Sequence, residues 1–199
     1  MIKIGLTGGL GTGKTTVLKL FAQAGMAGLD ADHLAHHALE PGQEAYKKTL
    51  KAFGKEILRP DRTIDRSKLA AVVFSSPQRL AKLNGIVHPT VKRQIKYFLR
   101  ECGKWNVDMC AVSVPLLYET RMEKWFDKVV AVKVARDKVV KRVGSSRGMS
   151  RADILARIKA QMPVAEKCRR ADFVLNNNGS LKHLRSQVRG LLKKITICE

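Results

Sequence analysis

The sequence predicts an α/β fold with a parallel sheet of about five strands covered by helices on both faces. Short apolar runs alternate along the chain with segments of helical spacing, a pattern typical of parallel strands joined by helices. Two of these runs, in the middle of the chain, are apolar throughout, as expected of strands buried on both faces. A length of 199 residues fits one such domain with a smaller insertion.

Five segments are predicted as strands, each a short apolar run. In chain order they are Ile2–Leu6, Met26–Leu29, Met109–Val114, Val129–Val134 and Phe173–Leu175. A helix is predicted directly after the first strand, over Lys14–Ala24, where Val17 and Phe21 have helical spacing. Gly25 ends this helix. The last strand leads into the turn-rich segment 176–179.

The stretch between the second and third strands is too long for a simple crossover loop and contains no convincing strand. We interpret it as a helical insertion that covers a substrate. The helices predicted there are Asp32–Leu39, Gln43–Phe53, Arg66–Phe74 and Pro77–Cys102, the last interrupted at Pro89. A second helical segment, Asp137–Lys167, is basic and rich in arginine.

The composition of the chain indicates which classes of ligand and which cellular compartment to expect. An excess of 38 basic over 17 acidic residues gives a net charge of +21, which suits polyanionic ligands. Nucleic acid is not favoured as a partner, since aromatic residues are only 6% and no stacking run or recognition motif is present. No long apolar run predicts a membrane span, and the N-terminus lacks the basic leader of a signal peptide. We therefore expect a soluble cytoplasmic protein whose four cysteines are reduced.

A glycine-rich loop between the first strand and the first helix predicts a nucleotide site. Residues 8–15, GGLGTGKT, match the phosphate-binding pattern G-x-x-x-x-G-K-[ST] at every defined position. Glycines let several backbone N–H groups point at phosphate oxygens, and the helix N-terminus adds partial positive charge. The lysine can reach the β- and γ-phosphates, and the next hydroxyl can bind Mg²⁺. The residues assigned to ATP are Gly9, Gly11, Thr12, Gly13, Lys14, Thr15 and Thr16, with Thr15 also assigned to the metal.

Two aspartates, Asp30 and Asp32, follow the second predicted strand. Ligands of open α/β sheets bind outside the carboxyl ends of the strands, so both carboxylates are expected near the phosphate loop. There a carboxylate could accept a proton from an attacking hydroxyl or order water around Mg²⁺. Capping of the following helix is the alternative role. His33, His36 and His37 come next and are expected to be exposed helix residues rather than metal ligands.

Beyond the phosphate loop, the whole chain resembles the dephospho-coenzyme A kinases. The resemblance rests on short blocks that occur in the order of that family and span nearly the full length. They are GLTGG at 5–9, DAD at 30–32, FG at 53–54, IDR at 64–66, HP at 88–89, PLLYE at 115–119 and ADFVLNN at 171–177.

This resemblance implies a P-loop kinase of three-layer P-loop NTPase fold that phosphorylates the ribose 3′-hydroxyl of dephospho-coenzyme A, the last step of coenzyme A synthesis. ATP is the expected donor and Mg²⁺ the expected metal. The implied layout has three parts. The predicted boundaries are 1–31, 107–136 and 168–199 for the nucleotide-binding core, 32–106 for the acceptor-binding insertion and 137–167 for a mobile lid.

For catalysis, the resemblance implies roles for four residues. Asp32 corresponds to the suspected general base of the family, and Lys14 acts from the phosphate loop. Arg142 and Arg147 fall in the predicted lid, where planar guanidinium groups suit a phosphoryl group in transfer. We expect Arg142 to act in catalysis and Arg147 to bind ATP. A solvated lid surface is the alternative for each arginine.

We expect Asp30, Arg66, His88 and Pro115 to bind the acceptor, and the resemblance implies that Asn177 lies near the adenine. Three of these residues also have a structural alternative. His88 could be a packing histidine. Pro115 could belong to a turn that ends the strand, and Asn177 to the turn after the last strand.

The chain departs from the family pattern on the third strand. Many members carry an acid two residues before the proline of the PLLYE block, and Ser113 occupies that position here. The carboxylate that would orient Mg²⁺ is therefore not visible on this strand. Asp30, Asp32 or Glu119 could take its place.

Overall fold

The computed structural model describes residues 1–147 and 150–197, including all their side chains except those of residues 146, 147 and 197. Within these ranges, five parallel strands form one sheet in the order β2-β3-β1-β4-β5. The strands are β1 (Ile2–Gly8), β2 (Ala27–Asp30), β3 (Met109–Ser113), β4 (Lys128–Lys133) and β5 (Phe173–Asn176). Both the α/β class and the predicted number of parallel strands are confirmed.

The strand order places the phosphate loop at the centre of the sheet. β1 pairs with β3 on one side and with β4 on the other, so that Leu6 is in register with both Ser113 and Val130. From β1 the chain continues to β2 and β3 on one side of it, and from β3 it crosses to β4 on the other side. A reversal of this kind opens a crevice at the carboxyl ends of the strands, where ligands of such sheets bind.

One face of the sheet is covered by α1 (Lys14–Gln23) and α9 (Leu181–Ile197). Side chains from these helices, including Phe21 and Leu184, pack with β1 and β4 in the main hydrophobic core. Helix α9 was not predicted. Its buried residues Leu184, Val188, Leu191 and Ile195 recur at helical spacing and are the signal that would have identified it.

The insertion contains four helices: α2 (Ala31–Ala38), α3 (Glu44–Phe53), α4 (Arg66–Phe74) and α5 (Pro77–Lys104). The predicted interruption at Pro89 is wrong, because α5 runs through it. A proline inside a helix removes one hydrogen bond and crowds the carbonyl four residues earlier. Here that residue is Gly85, and the helix continues through both positions.

The basic segment forms three short helices rather than one stretch. These are α6 (Arg136–Arg147), α7 (Arg151–Lys159) and α8 (Val164–Arg170). The hydroxyl of Ser150 accepts a hydrogen bond from the Asp153 amide at 3.1 Å and so begins α7, while Pro163 precedes α8.

The chain divides into two compact units, residues 1–30 with 99–199, and residues 31–98. The first contains the sheet with α1 and α6–α9, and the second has its own hydrophobic core around Phe53, Ile57 and Leu69. The predicted boundaries of the insertion and of the lid stay predictions. No helix in the described part of the chain has the length and apolarity needed to cross a membrane.

Asp65 starts α4, because its carboxylate accepts hydrogen bonds from the amides of Ser67 at 2.9 Å and Lys68 at 3.2 Å. We expect Asp65→Ala to lower the melting temperature by about 2–4 °C at neutral pH, as loss of an N-cap does in a protein of this size. Glu56→Ala, which removes an exposed acid from the same unit, is the control.

The effect of Asp65→Ala depends on pH. The Lys68 amide, followed by the Ser67 amide and Arg59, holds the pKa of Asp65 below its ordinary value of 3.8. The stabilisation is therefore present above that ordinary value and is lost as the pH falls through the lower pKa of the folded protein. Melting curves of variant and wild type should converge in this acidic range. A constant difference between them would contradict the capping role.

Candidate active site

The phosphate loop connects β1 to α1 and is shaped by glycines. Gly13 has a φ of 93°, and a Cβ at this position would overlap the side-chain amide of Asn177. A Cβ at Gly8 would lie 2.6 Å from the carbonyl oxygen of Val132. Both positions therefore require glycine, which tolerates positive φ and close approach. The loop ends at the N-terminus of α1, where backbone N–H groups favour an anion.

Lys14 points into this loop. Its side chain is almost buried, and Nζ donates hydrogen bonds to the carbonyl oxygens of Gly8 at 3.1 Å and Gly9 at 2.9 Å. The Thr12 hydroxyl donates to the same Gly9 carbonyl at 3.0 Å. These bonds place the ammonium group inside the loop, on the side where bound phosphates would need a positive charge.

Oxygen atoms of hydroxyl and carboxylate groups lie beside the loop, in the first turn of α1 and at the carboxyl ends of β2 and β3. The Thr15 hydroxyl donates to Asp30 Oδ2 at 3.2 Å. Asp30 is in register with Ser113, whose buried Oγ has no hydrogen-bond partner among the described residues. Hard oxygen ligands of this kind suit Mg²⁺, which keeps several of its waters. The arrangement of Thr15 and Asp30 therefore fits the predicted metal, with Ser113 available to a bound water.

Asn177 lies behind the loop. It is 8% exposed, and its Nδ2 donates to the carbonyl oxygen of Thr12 at 2.9 Å. Its own backbone carbonyl accepts from Arg142 Nη2 at 3.3 Å. Asn177 thus links the end of β5 to the phosphate loop and to α6. The contact with the loop backbone gives this residue a packing role that sequence reasoning missed.

Helix α6 also contacts the loop through apolar side chains. Val139 and Val143 pack with Ile154 of α7 and with Leu10 of the phosphate loop. Beside them, a cavity of about 650 Å³ is lined by Gly9, Leu10 and Thr12 together with residues of α7 and of the segment that leads into α8. Arg142 lies on α6 and donates to the Asn177 carbonyl oxygen. The side chain of Arg147 is outside the described residues.

A buried lysine joins α8 to the loop after β3, and sequence reasoning missed it. Lys167 is fully buried, and its Nζ donates to the Pro115 carbonyl oxygen and lies 2.9 Å from Glu119 Oε1. The same Glu119 oxygen accepts from the Met162 amide at 2.8 Å. The Thr7 hydroxyl donates to the Pro115 carbonyl at 3.4 Å. The Glu119 carboxylate is therefore bound by the Lys167 ammonium and the Met162 amide.

The remaining predicted residues lie in the second unit. Asp32 is exposed in the first turn of α2. On the same helix, His36 Nδ1 lies 3.2 Å from Arg66 Nη1, within hydrogen-bond distance. Burial, followed by the nearby Lys92 cation, lowers the pKa of His88 below its ordinary value of 6.5, so its ring is neutral at pH 7.

The histidines of α2 do not form a metal site within the described ranges. His33, His36 and His37 are exposed, and no three metal-ligating side chains come together in that part of the chain. Instead, His36 contacts Arg66, and His37 pairs with Glu40 at 2.6 Å. The proximity of His36 to Arg66 was not visible in the sequence, since thirty positions separate the two residues.

Comparison with known proteins finds relatives of this chain both in sequence and in structure. The sequence profile described as dephospho-CoA kinase matches residues 2–183. A dephospho-CoA kinase from Carboxydothermus hydrogenoformans is 41% identical over 191 residues, which cover 96% of this chain and 93% of the relative. A Thermus thermophilus protein of known crystal structure is 37% identical, with a TM-score of 0.77 and 97% of each chain covered.

The fold is also shared with a more distant structure. A dephospho-CoA kinase from Campylobacter jejuni is 24% identical and superimposes with a TM-score of 0.69, covering 97% of this chain and 96% of that one. The family profile and the identity to the Carboxydothermus relative extend over nearly all of the sequence. This chain therefore belongs to the dephospho-CoA kinase family.

Proposed function

We propose that this protein transfers the γ-phosphoryl group of ATP to the ribose 3′-hydroxyl of dephospho-coenzyme A and so forms coenzyme A. The observation that carries this proposal is the family match over residues 2–183, which includes a phosphate loop with its lysine folded inward. Phosphoryl transfer requires in-line positioning and stabilisation of charge, and the residues around this loop are of the types that supply both.

The phosphate loop is proposed to hold the triphosphate of ATP. Backbone N–H groups from Gly9 to Thr16 surround the β- and γ-phosphates, and the ammonium of Lys14 neutralises charge between them. The hydrogen bonds of Lys14 to loop carbonyls support this role, because phosphate oxygens can replace those acceptors without a large movement of the side chain. Asn177 keeps the backbone of Thr12 in place.

Mg²⁺ is proposed to bind next to Thr15. The Thr15 hydroxyl would be a direct ligand, Asp30 would orient a bound water, and the Ser113 hydroxyl would accept or donate a further hydrogen bond to water. When bound, the metal neutralises charge on the β- and γ-phosphates. The hydrogen bond between Thr15 and Asp30 supports this assignment, since it already brings a hydroxyl and a carboxylate to one point.

Asp32 is proposed as the general base for the acceptor hydroxyl. It follows Asp30 by two residues, beyond the carboxyl end of β2, where ligands of parallel sheets bind. The acceptor is proposed to contact Arg66, His88 and Pro115. Arg66 can donate several hydrogen bonds to the diphosphate of dephospho-coenzyme A, and the neutral ring of His88 suits a less polar part of the molecule.

Arginines of α6 and its C-terminal end are proposed to neutralise the phosphoryl group during transfer. Arg142 is already directed to the Asn177 carbonyl beside the loop, which supports its role near the nucleotide. Arg147 is proposed to bind ATP on the basis of sequence alone. Closure of this segment over the substrates would exclude water and limit hydrolysis of ATP.

We further propose that the protein works in the cytoplasm, with small molecules rather than nucleic acid as its ligands. Three cysteines, Cys102, Cys110 and Cys168, are free thiols, which is consistent with a reducing compartment. Burial raises the pKa of Cys110 to about 12, so this thiol stays protonated and unreactive.

One assay tests the reaction and its acceptor. Purified protein is incubated with ATP, Mg²⁺ and dephospho-coenzyme A, and the product is compared with authentic coenzyme A by chromatography and mass. A nucleoside monophosphate and a sugar serve as competing acceptors. We expect transfer to dephospho-coenzyme A to exceed the others at least about 10³-fold in kcat/KM, as for sites built to hydrogen-bond one substrate. Comparable transfer to another acceptor would refute the assignment.

A further inference from the structure

The candidate for a further role is Lys167, a buried charge that the proposed phosphoryl transfer does not use. Its side chain is 0% exposed, and its partner Glu119 is 24% exposed. Taking two charges out of water costs free energy, and apolar replacements of such pairs are often neutral or stabilising. Stability alone is therefore a weak explanation for an ammonium group at this position.

The geometry around Lys167 ties three segments together. Its ammonium binds the Pro115 carbonyl and the Glu119 carboxylate, both in the loop after β3. Glu119 in turn accepts the amide of Met162, which lies between α7 and α8. The loop after β3 is thereby fixed to α8 and to the end of the segment that carries α6 and α7.

The contacts around Lys167 extend to the phosphate loop. The Pro115 carbonyl that Lys167 binds also accepts the Thr7 hydroxyl from β1, the strand that leads into the loop. At the start of α8, Val164 fills the space beside Gly9, where a Cβ would lie only 2.7 Å from its Cγ2. The lysine therefore belongs to a set of contacts that connects α8, the loop after β3 and the phosphate loop.

We propose that Lys167 is a positioning residue. Together with Glu119, it holds the loop after β3 and the end of the α6–α7 segment in a fixed position relative to the phosphate loop. This inference rests on the proposed phosphoryl transfer. In this role the buried ion pair aligns the acceptor with ATP. It also helps to exclude water from the γ-phosphate. Neither residue needs to touch a substrate for this role.

The test is Lys167→Met, which keeps the length of the side chain and removes its charge. We expect kcat to fall about 10–100-fold, since small misplacements of reacting groups have effects of this size, while the KM for ATP stays within about threefold. We also expect more ADP than phosphorylated acceptor, because loss of alignment lets water compete. The ratio of the two products is independent of the fraction of folded enzyme.

Glu166→Gln is the matched control. It changes the neighbouring residue of α8 and removes its surface ion pairs with Arg169 and Arg170, and it should keep wild-type kcat and one ADP per product. If Lys167→Met does not fold, the double variant Lys167→Met/Glu119→Gln decides, because it leaves neither member of the pair as an unpaired charge. It should show the same excess of ADP.

Wild-type kcat and equal amounts of ADP and product in the tested variant, whatever its melting temperature, would overturn the positioning role. A failure of the proposed function is distinguishable, since it would appear as absent transfer in the wild-type protein itself.

Discussion

The variant Asp32→Asn is expected to lower kcat about 10²–10⁴-fold, the range typical of losing a general base, while the KM for ATP changes less than about threefold. Asparagine keeps the size of the side chain and can still accept a hydrogen bond, but it cannot take a proton at neutral pH. Steady-state kinetics with ATP and dephospho-coenzyme A measure both constants.

Helix capping is the alternative for Asp32, because it lies in the first turn of α2. A capping or helix-dipole role predicts a small fall in melting temperature and unchanged turnover. Glu44→Gln is the matched control, since Glu44 is an exposed acid in the first turn of α3 in the same unit. Should Asp32→Asn and Glu44→Gln turn over equally fast, the assignment of a general base would be wrong.

Lys14→Ala is expected to reduce kcat/KM for ATP at least about 10³-fold, with both binding and rate affected. The ammonium is the one side-chain charge held inside the loop among the described contacts. Its removal leaves the loop without a charged side chain to neutralise the β- and γ-phosphates. Titration calorimetry with ATP and steady-state kinetics together separate the loss in affinity from the loss in rate.

The control for Lys14 lies on the same helix. Lys19→Ala removes an exposed ammonium from α1 and should leave ATP affinity and turnover unchanged. The fold should tolerate Lys14→Ala, because the core residues of α1, Val17 and Phe21, are not touched. Normal ATP affinity and rate in Lys14→Ala would contradict the role of the phosphate loop.

The most predictable features were those encoded in consecutive residues. The phosphate loop needs glycines, a lysine and a hydroxyl at fixed spacing, and the structure places Lys14 inside the loop and Thr15 beside Asp30. The strands were also visible, because burial on both faces requires continuous apolar runs such as β4. For helix α9 the signal was present in the spacing of its buried residues but was missed.

Helix continuity at Pro89 could not be predicted from local preference. A proline disfavours a helix interior, yet α5 runs through it with a glycine four residues earlier. Tertiary packing of Val87, Val91 and Ile95, all buried, supplies free energy that outweighs one lost hydrogen bond. Local rules therefore predicted an interruption that this helix does not have.

The sequence by itself determined the class of fold, the nucleotide loop and, through blocks spread along the chain, the family. Only the tertiary structure decided which basic residue of α8 is buried. Lys167, Arg169 and Arg170 look alike in the sequence, yet Lys167 alone of these faces inward to Glu119 and Pro115, while the two arginines pair with Glu166 at the surface. Charge is a property of the residue, whereas burial depends on what the rest of the chain packs against it.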